Sequence, residues 1–296
     1  MSSYTMTRRQ AIQAGVLGFA GAAAVHLAPA SHAAQADRPI LQLGLLTDVH
    51  YADKPPRGSR HYRDALPKLQ QALQTFVDHK VQAVLQLGDL IDAHATVPEE
   101  EQAVREVASL FRDSNLPYHF VMGNHCLQLL SKRRYAELAG CRAGHYVTDV
   151  GPLRIIVLDA NYRADGVAYD AGNFEWTDCF IPQEQLDWLG NTLAGSNKPC
   201  IILTHQRLDP DPQHTVANHE AVRQVIAEAG GQRVRAVLQG HFHRNSRTIF
   251  NDIPYIVLRG IIEGAGLEEN AYAILRMYDD GSIRINGFGR QDSYEL

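Results

Sequence analysis

Short apolar runs alternate with amphipathic segments in the first part of the chain. Residues 40–47, 83–87 and 118–122 are apolar runs of strand length, which predicts three buried strands. Residues 65–79 and 98–112 carry apolar positions at intervals of three and four, and this spacing predicts two helices. Strands that alternate with helices in this way are typical of parallel βαβ units.

The alternation continues further along and then changes to strands alone. The predicted elements are a hairpin at 147–149 and 153–158, a helix at 182–194, a strand at 200–203, a helix at 216–229 and a strand at 234–238. After Arg247 only strands are predicted, at 248–250, 255–258, 270–278 and 282–287. A βα half followed by a β-rich half predicts an α/β (α+β) fold, in which two mixed β-sheets pack together with helices outside.

One segment, residues 160–181, shows neither helical nor strand periodicity. It is predicted to be a long loop, and loops of this length are more often functional than idle.

The N-terminus has the composition of an export signal. Arg8 and Arg9 precede an uncharged run rich in Ala and Gly, and Ser31-His32-Ala33 offers the small residues that a signal peptidase reads. This arrangement resembles a twin-arginine signal. The run is shorter than the ~20 apolar residues of a membrane-spanning helix, which favours export over anchoring. We expect residues 1–33 to be removed, and residues 34–296 to form one periplasmic or extracellular domain without stable membrane insertion.

Five predicted strands end in clusters of Asp, His, Asn and Gly. In α/β sheets, ligands bind beyond the carboxyl ends of the strands, so these clusters are expected to converge. A single cluster of this kind arises easily by chance, but five in succession at strand ends indicate one site. The clusters are Asp48-Val49-His50, Gly88-Asp89-Leu90-Ile91-Asp92, Gly123-Asn124-His125, Thr204-His205 and Gly240-His241-Phe242-His243.

The side chains in these clusters are carboxylate, amide and imidazole donors. Mixed oxygen and nitrogen donors without thiolate suit Mn, Fe or Zn rather than a structural zinc cage. Seven donors exceed what one ion requires, which predicts two metal ions about 3.5–4 Å apart. The predicted ligands are Asp48, His50, Asp89, Asn124, His205, His241 and His243.

The series DxH, GDxxD, GNH, H and GHxH is similar to that of the calcineurin-like metallophosphoesterases. The resemblance spans the chain from Asp48 to His243 and implies a two-sheet αββα sandwich. It also implies a hydrolase in which hydroxide held between two divalent or trivalent metal ions attacks a phosphate ester or anhydride.

The same resemblance assigns a role to each matching residue. Asp48, His50 and His243 would hold the first ion, and Asn124, His205 and His241 the second. Asp89 would bridge both ions. His125 would be catalytic, protonating the leaving oxygen or stabilising charge on the phosphoryl group.

Further segments, at 48–53, 60–63, 85–89, 183–189 and 260–263, resemble the manganese-dependent ADP-ribose/CDP-alcohol diphosphatases. This likeness implies manganese, with iron or zinc as alternatives. It also implies a small phosphorylated substrate, in which a nucleoside diphosphate is linked to an alcohol or sugar. Two alternatives stay open: a phosphomonoesterase acting with the same site, and a relative that binds metal or nucleotide without catalysis. The net charge of −5, with no basic stripe, argues against nucleic acid as a partner.

Two positions depart from these families. His50 stands where the diphosphatases have Gln, so the first metal site resembles that of the wider family. Cys126 stands where an acidic residue usually follows the GNH motif, so His125 needs another partner, for which Asp92 or a more distant acidic residue is a candidate. We expect metal binding to be unaffected by Cys126. The four cysteines contain no CxxC pair and are either disulfide-bonded or buried free thiols.

Aromatic and cationic residues near the clusters are candidates for substrate binding. Aromatic rings could stack on a base or sugar, and arginine could hold a second phosphate through paired hydrogen bonds. The alternative is that these side chains anchor loops. The candidates are Tyr51, Tyr62, Arg63, Tyr162 and Arg207, with Asn218 and His219 on the helix that follows.

Overall fold

The computed structural model describes residues 38–296, and the predicted export signal lies outside them. The strands are β1 (Leu41–Leu46), β2 (Ala83–Gln86), β3 (Tyr118–Phe120), β4 (Tyr146–Val150), β5 (Leu153–Val157), β6 (Cys200–Thr204), β7 (Val234–Gln239), β8 (Ser246–Phe250), β9 (Ile253–Val257), β10 (Ala271–Met277), β11 (Ile283–Gly289) and β12 (Tyr294–Glu295). The helices are α1 (Ala65–Asp78), α2 (Val97–Asp113), α3 (Lys132–Ala139), α4 (Gln183–Ala194) and α5 (His219–Val225).

These strands form two six-stranded mixed sheets, which confirms the predicted fold class. The first sheet has the order β12-β11-β10-β1-β2-β3, in which β1, β2 and β3 are parallel. The second has the order β4-β5-β6-β7-β9-β8, in which β5, β6, β7 and β9 are parallel. The carboxyl ends of β1, β2 and β3 therefore meet at one edge of the first sheet, and those of β6 and β7 at one edge of the second.

Successive side chains of each strand point to opposite faces and pack in different apolar layers. Leu45 and Leu85 lie in the layer between the two sheets, together with Leu203 of the second sheet. The neighbouring residues Leu46 and Val84 pack instead against α1, α2 and α3. The other face of the second sheet packs against α4 and α5. The result is the αββα sandwich that the sequence predicts.

Three elements differ from the sequence prediction, one of them the short strand β12, which was not predicted. Helix α3 was not predicted, because it buries only Tyr135, Ala136 and Ala139, too few apolar positions to define a period. Helix α5 begins at His219 rather than at Val216, because the backbone amide of Val216 bonds to the carbonyl of Arg207. Within residues 38–296, none of the helices combines the length and the apolar character that crossing a membrane requires.

Candidate metal centre

The five sequence clusters meet at the carboxyl ends of the central strands. Asp48 follows β1, Asp89 follows β2 and Asn124 follows β3, while His205 follows β6 and His241 follows β7. The seven predicted ligands are all buried, including His50 and His243. The topology therefore brings together residues that are up to about two hundred positions apart in the chain.

The backbone is left-handed at most of these positions. Residues with a Cβ atom adopt a positive φ rarely, at a cost of about 1–3 kcal/mol each. Close packing also requires glycine nearby: a Cβ at Gly88 would lie 2.2 Å from His205 Nδ1, and one at Gly123 would lie 2.1 Å from Asp89 Oδ1. Strain and close approach are thus concentrated at the site. The left-handed ligand positions, with φ between 46° and 67°, are Asp48, His50, Asp89, His241 and His243.

The first group of ligand atoms comes from Asp48, His50 and His243. The two Nε2 atoms of His50 and His243 lie 3.0 Å apart. They lie 3.5 Å and 3.2 Å, respectively, from Oδ1 of Asp48. Three donor atoms thus surround one point, as metal ligands do.

The second group comes from Asp89, His205 and His241. Nε2 of His205 lies 3.0 Å from Oδ2 of Asp89 and 3.2 Å from Nδ1 of His241. The same Oδ2 atom of Asp89 lies 3.5 Å from Nε2 of His50, in the first group. Asp89 therefore lies between the two groups, where a bridging carboxylate would have to be.

Hydrogen bonds outside the centre orient the imidazoles. Nδ1 of His50 lies 3.0 Å from Oδ2 of Asp92, and Nδ1 of His243 lies 2.8 Å from Oε1 of Glu263. Nδ1 of His205 lies 2.8 Å from a main-chain carbonyl oxygen. Because each of these partners is an acceptor, Nδ1 carries the proton, and Nε2 presents its lone pair to the centre.

The carboxylates are oriented in the same way. Oδ2 of Asp48 accepts hydrogen bonds from Thr47 Oγ1 at 2.6 Å and from the backbone N–H of His241 at 3.0 Å. Oδ1 of Asp89 accepts a hydrogen bond from the backbone N–H of His125 at 2.8 Å. Each carboxylate therefore receives its shorter hydrogen bonds from the protein on one oxygen and turns the other toward the centre.

The atoms that meet in the centre fit metal ions better than they fit each other. If both rings are neutral, the Nε2 lone pairs of His50 and His243 face each other at 3.0 Å and repel, so a proton or a metal cation is required between them. Asp89 Oδ2 faces a lone pair of His205 in the same way and has no hydrogen-bond donor. Asn124 Oδ1 is also buried without a partner. Buried acceptors without donors are unfavourable, and cations would satisfy all of them, so these residues fit two metal ions.

The electrostatics of the centre favour positive charge. Burial raises the pKa of Asp48, but the imidazoles of His243 and His50 outweigh it and hold that pKa well below its usual range. Burial likewise opposes ionisation of Asp89, and His205 and His125 again lower its pKa. Burial lowers the pKa of His243, but Asp48 and a hydrogen bond to a glutamate raise it to about 9. Protons therefore compete with metal for this centre.

His125 lies at the edge of the centre. Its ring meets the ring of His50 edge-on, with centroids 4.6 Å apart, and its side chain is 20% exposed. Its Nδ1 atom lies 3.7 Å from Oδ2 of Asp92, which is ion-pair distance but too long for a hydrogen bond. Burial lowers the pKa of His125 to about 4.

Cys126 does not take the place of the acidic neighbour. Its side chain is fully buried in the apolar cluster with Leu127 and Tyr135, and burial raises the pKa of its thiol to about 12. Cys126, Cys141, Cys179 and Cys200 all carry free thiols, and all of them except Cys141 are buried, so three of the four agree with the buried-thiol alternative that the sequence left open.

A cavity of about 690 Å³ opens onto the centre. Arg57, Arg60 and Tyr62 form its wall beside His125. Trp176 forms another part of the wall, and its ring lies 5.6 Å from that of His241. Arg57, Arg60 and Trp176 were not predicted as site residues, although residues 60–63 were noted as a motif and Trp176 belongs to the long loop at 160–181. No local pattern indicated that these side chains would reach the cavity.

Among the predicted substrate-binding residues, Tyr62 lines this cavity. Tyr51 lines a separate groove, and its hydroxyl donates a hydrogen bond to Glu106 at 3.1 Å. Arg63 is exposed and pairs with Asp53 at 2.6 Å. Of these three residues, Tyr62 is the one that the structure brings to the cavity at the centre.

The remaining candidates lie outside the cavity wall. Arg207 is buried, pairs with two aspartates and lies over the ring of Phe242. The ammonium of Lys132 lies 3.9 Å from the ring centre of Tyr162. Nδ1 of His219 bonds to a main-chain carbonyl at 2.9 Å, and the side chain of Asn218 bonds to main-chain atoms at the end of the long loop. These contacts correspond to the loop-anchor alternative.

The two-sheet fold and the Asp/His centre are those of a known class of enzyme. A family model described as calcineurin-like phosphoesterase matches residues 41–245. The chain belongs to this family of metal-dependent phosphoesterases, and the buried Asp and His groups are consistent with its dinuclear metal site.

Within the family, the chain is similar to manganese-dependent ADP-ribose/CDP-alcohol diphosphatases. It is 26% identical to the one from Arabidopsis thaliana, over 88% of this chain and 83% of that protein. It is also 26% identical to the one from Danio rerio, over 87% of this chain and 98% of that protein. The crystal structure of a dimetal phosphatase from Danio rerio has the same fold, with a TM-score of 0.77 at 24% identity over 88% of this chain and 99% of that one.

Proposed function

We propose that this phosphoesterase hydrolyses the diphosphate bond of a small molecule in which a nucleoside diphosphate is linked to an alcohol or sugar. The observation that carries the proposal is the convergence of seven buried nitrogen and oxygen ligands beneath a cavity of about 690 Å³, a size typical of sites for molecules of this kind. The similarity to the diphosphatases of Arabidopsis thaliana and Danio rerio supports this substrate class over a phosphomonoester.

The two groups of ligands would hold two metal ions, and manganese is the metal that we propose. The first would take Asp48, His50 and His243; the second would take Asn124, His205 and His241; Asp89 would bridge them. When bound, the ions would activate water at neutral pH and draw charge from the phosphoryl oxygens.

His125 is the proposed catalytic side chain of the protein itself. It lies where the ligands, the cavity and the arginine wall meet, so it would donate a proton to the leaving oxygen or stabilise charge on the phosphoryl group. Its pKa of about 4 keeps it neutral in the free enzyme. An anionic substrate would raise that pKa, and Asp92, at 3.7 Å, would hold the protonated ring in place.

The cavity wall offers separate contacts for the two ends of such a substrate. Arg57 and Arg60 lie beside His125, where each guanidinium could hold the phosphate that is not attacked. Trp176 lies beside His241 and presents an aromatic ring to a base or sugar. Tyr62 completes the wall on the arginine side.

A substrate panel in the presence of manganese tests the proposal. We expect ADP-ribose or a CDP-alcohol to be split into a nucleoside monophosphate and a phosphorylated alcohol or sugar. Turnover of p-nitrophenyl phosphate alone would identify a phosphomonoesterase instead. Metal binding without turnover of these compounds or of bis-p-nitrophenyl phosphate would identify a non-catalytic relative. Asp89→Ala is the control, since it should lose both metal and turnover.

We also propose that the enzyme is exported by the twin-arginine route. The supporting observation is the sequence of residues 1–33, with Arg8 and Arg9 ahead of a weakly apolar run. Replacing both arginines by lysine should retain the full-length chain in the cytoplasm. Export that continues unchanged in this variant would contradict the proposal.

A further inference from the structure

Lys68 is a fully buried lysine in α1, with 0% of its surface exposed. Its Nζ atom donates hydrogen bonds to the main-chain carbonyls of Ile261 at 3.1 Å, Glu263 at 2.9 Å and Gly264 at 2.6 Å. An ammonium group has three donors, and all three are used here. Burial lowers the pKa of Lys68, so a lysine at this position is unfavourable unless these bonds are formed.

The segment held by Lys68, residues 261–264, leads directly to the metal centre. Its Glu263 side chain accepts a hydrogen bond from Nδ1 of His243 at 2.8 Å. This contact fixes the tautomer and direction of His243, whose Nε2 atom belongs to the first ligand group. None of these three hydrogen bonds of Lys68 goes to a predicted ligand.

The same segment supports the arginine turn, which we define as residues 57–60. The backbone N–H of Gly264 donates to the carbonyl of Ser59 at 2.8 Å, and that of His61 donates to the carbonyl of Ile262 at 3.0 Å. The turn closes on itself through two main-chain bonds between Arg57 and Arg60. Its position at the cavity therefore depends on the position of residues 261–264.

We infer that Lys68 is a positioning residue for the active centre. By holding three carbonyls of residues 261–264, it keeps Glu263 against His243 and keeps the arginine turn at the cavity wall. Without the ammonium, three carbonyls, one of them buried and two partly buried, would lose their donor, and the segment would shift toward water to regain hydrogen bonds. His243 would then lose its partner, although every ligand would still be present in the chain.

The test compares Lys68→Met, Glu263→Ala and the double variant, measuring the Kd for manganese by calorimetry and the fold by circular dichroism. Each single change is expected to weaken manganese binding about 10- to 100-fold, the usual effect of losing such an outer contact. Because Lys68 acts through Glu263, the double variant should bind manganese within about twofold of Glu263→Ala. Multiplying effects in the double variant would overturn the inference.

Leu193→Ala is the matched control for a loss of stability alone. Leu193 is buried in α4, in the apolar layer on the far face of the second sheet, so its loss should lower Tm without changing the Kd for manganese. Equal manganese affinities in Lys68→Met and Leu193→Ala would refute a positioning role. At saturating manganese, Lys68→Met should also raise the KM for the diphosphate substrate at least about fivefold. An unchanged KM would show that Lys68 does not position the arginine turn.

Lys68→Arg and Lys68→Gln keep the inference testable if Lys68→Met does not fold. The arginine retains a charged group with several donors and should keep the Kd for manganese within about threefold of wild type, whereas glutamine offers fewer donors and should weaken binding more. The reverse order would overturn the inference. It rests on the proposed metal centre, and the wild-type titration separates the two: absence of manganese binding in the wild type refutes the centre, whereas binding that is insensitive to Lys68 refutes this inference alone.

Discussion

Asp92→Asn should weaken metal binding although Asp92 is not itself a proposed ligand. Oδ2 of Asp92 accepts the hydrogen bond from Nδ1 of His50 at 3.0 Å, while Oδ1 accepts from Lys54 Nζ and from the backbone N–H of Ala93. Asparagine has only one acceptor oxygen for these donors. That oxygen will remain on the side with two donors, so the amide N–H₂ will face His50.

This change forces the wrong tautomer on His50. A donor facing Nδ1 requires Nδ1 to accept, which places the ring proton on Nε2, the atom that points to the centre. Outer contacts of this kind alter metal affinity by about 10- to 100-fold, or about 1.4–2.8 kcal/mol. Solvent screening reduces this free energy only slightly, because the Asp92 side chain is only 6% exposed.

Titration calorimetry with manganese measures the effect, and Lys54 provides a second variant that tests the reasoning. In Asp92→Asn/Lys54→Met the competing ammonium is gone, so the asparagine oxygen can turn toward His50 and recover part of the affinity. Lys54→Met alone should change the manganese Kd less than Asp92→Asn does. A double variant that binds no better than Asp92→Asn, or an Asp92→Asn affinity within twofold of wild type, would refute the tautomer argument.

Three further predictions concern stability. Burial raises the pKa of Glu100 to about 7, so the folded wild type loses stability as pH rises from about 4.5 to 7. Glu100→Gln should therefore be more stable than wild type by about 1–3 kcal/mol at pH 8 and equal to it at pH 4.5. Urea titrations that show the same stability difference at both pH values would contradict this prediction. Removing metal with a chelator should lower Tm by about 5–10 °C relative to protein with manganese at 100 times its Kd, and adding manganese back should reverse the shift in a melting scan. Cys126→Asp places a carboxylate in the apolar cluster, so it should destabilise the fold by about 3 kcal/mol or more without raising turnover. A variant that is as stable as wild type in denaturation assays and turns over faster would count against the burial of Cys126 in that cluster.

The convergence of the predicted ligand side chains and the sandwich could both be predicted from the sequence, because both signals are local. An apolar run that ends in Asp-x-His or Gly-Asn-His predicts both a strand and the cluster of polar side chains at its carboxyl end. Helix α3 was missed because its amphipathic signal is carried by only three buried residues.

The outer contacts and the cavity wall depend on tertiary structure instead. Glu263 meets His243 because the segment before β10 bonds through its main chain to the residues of the centre, with the N–H of Gly260 donating to the carbonyl of His243 and that of Ile262 to the carbonyl of Asp48. Arg57 reaches the cavity because this segment, distant in sequence, supports its turn. Aromatic and cationic residues near the motifs, such as Tyr51 and Arg207, were chosen by proximity in sequence. Their side chains are occupied by Glu106 and by Asp209 and Asp211, partners that no local pattern reveals.

The left-handed backbone at five ligand positions has a consequence for protein engineering. At about 1–3 kcal/mol each, these positions together store strain of the same order as the whole net stability of a typical domain, about 5–15 kcal/mol. Grafting the ligand motifs onto another scaffold would therefore transfer the side chains but not the surrounding structure that holds their backbone in the left-handed conformation. A designer would have to transplant the strand ends, the glycines that let them approach, and enough of both sheets to hold the bends.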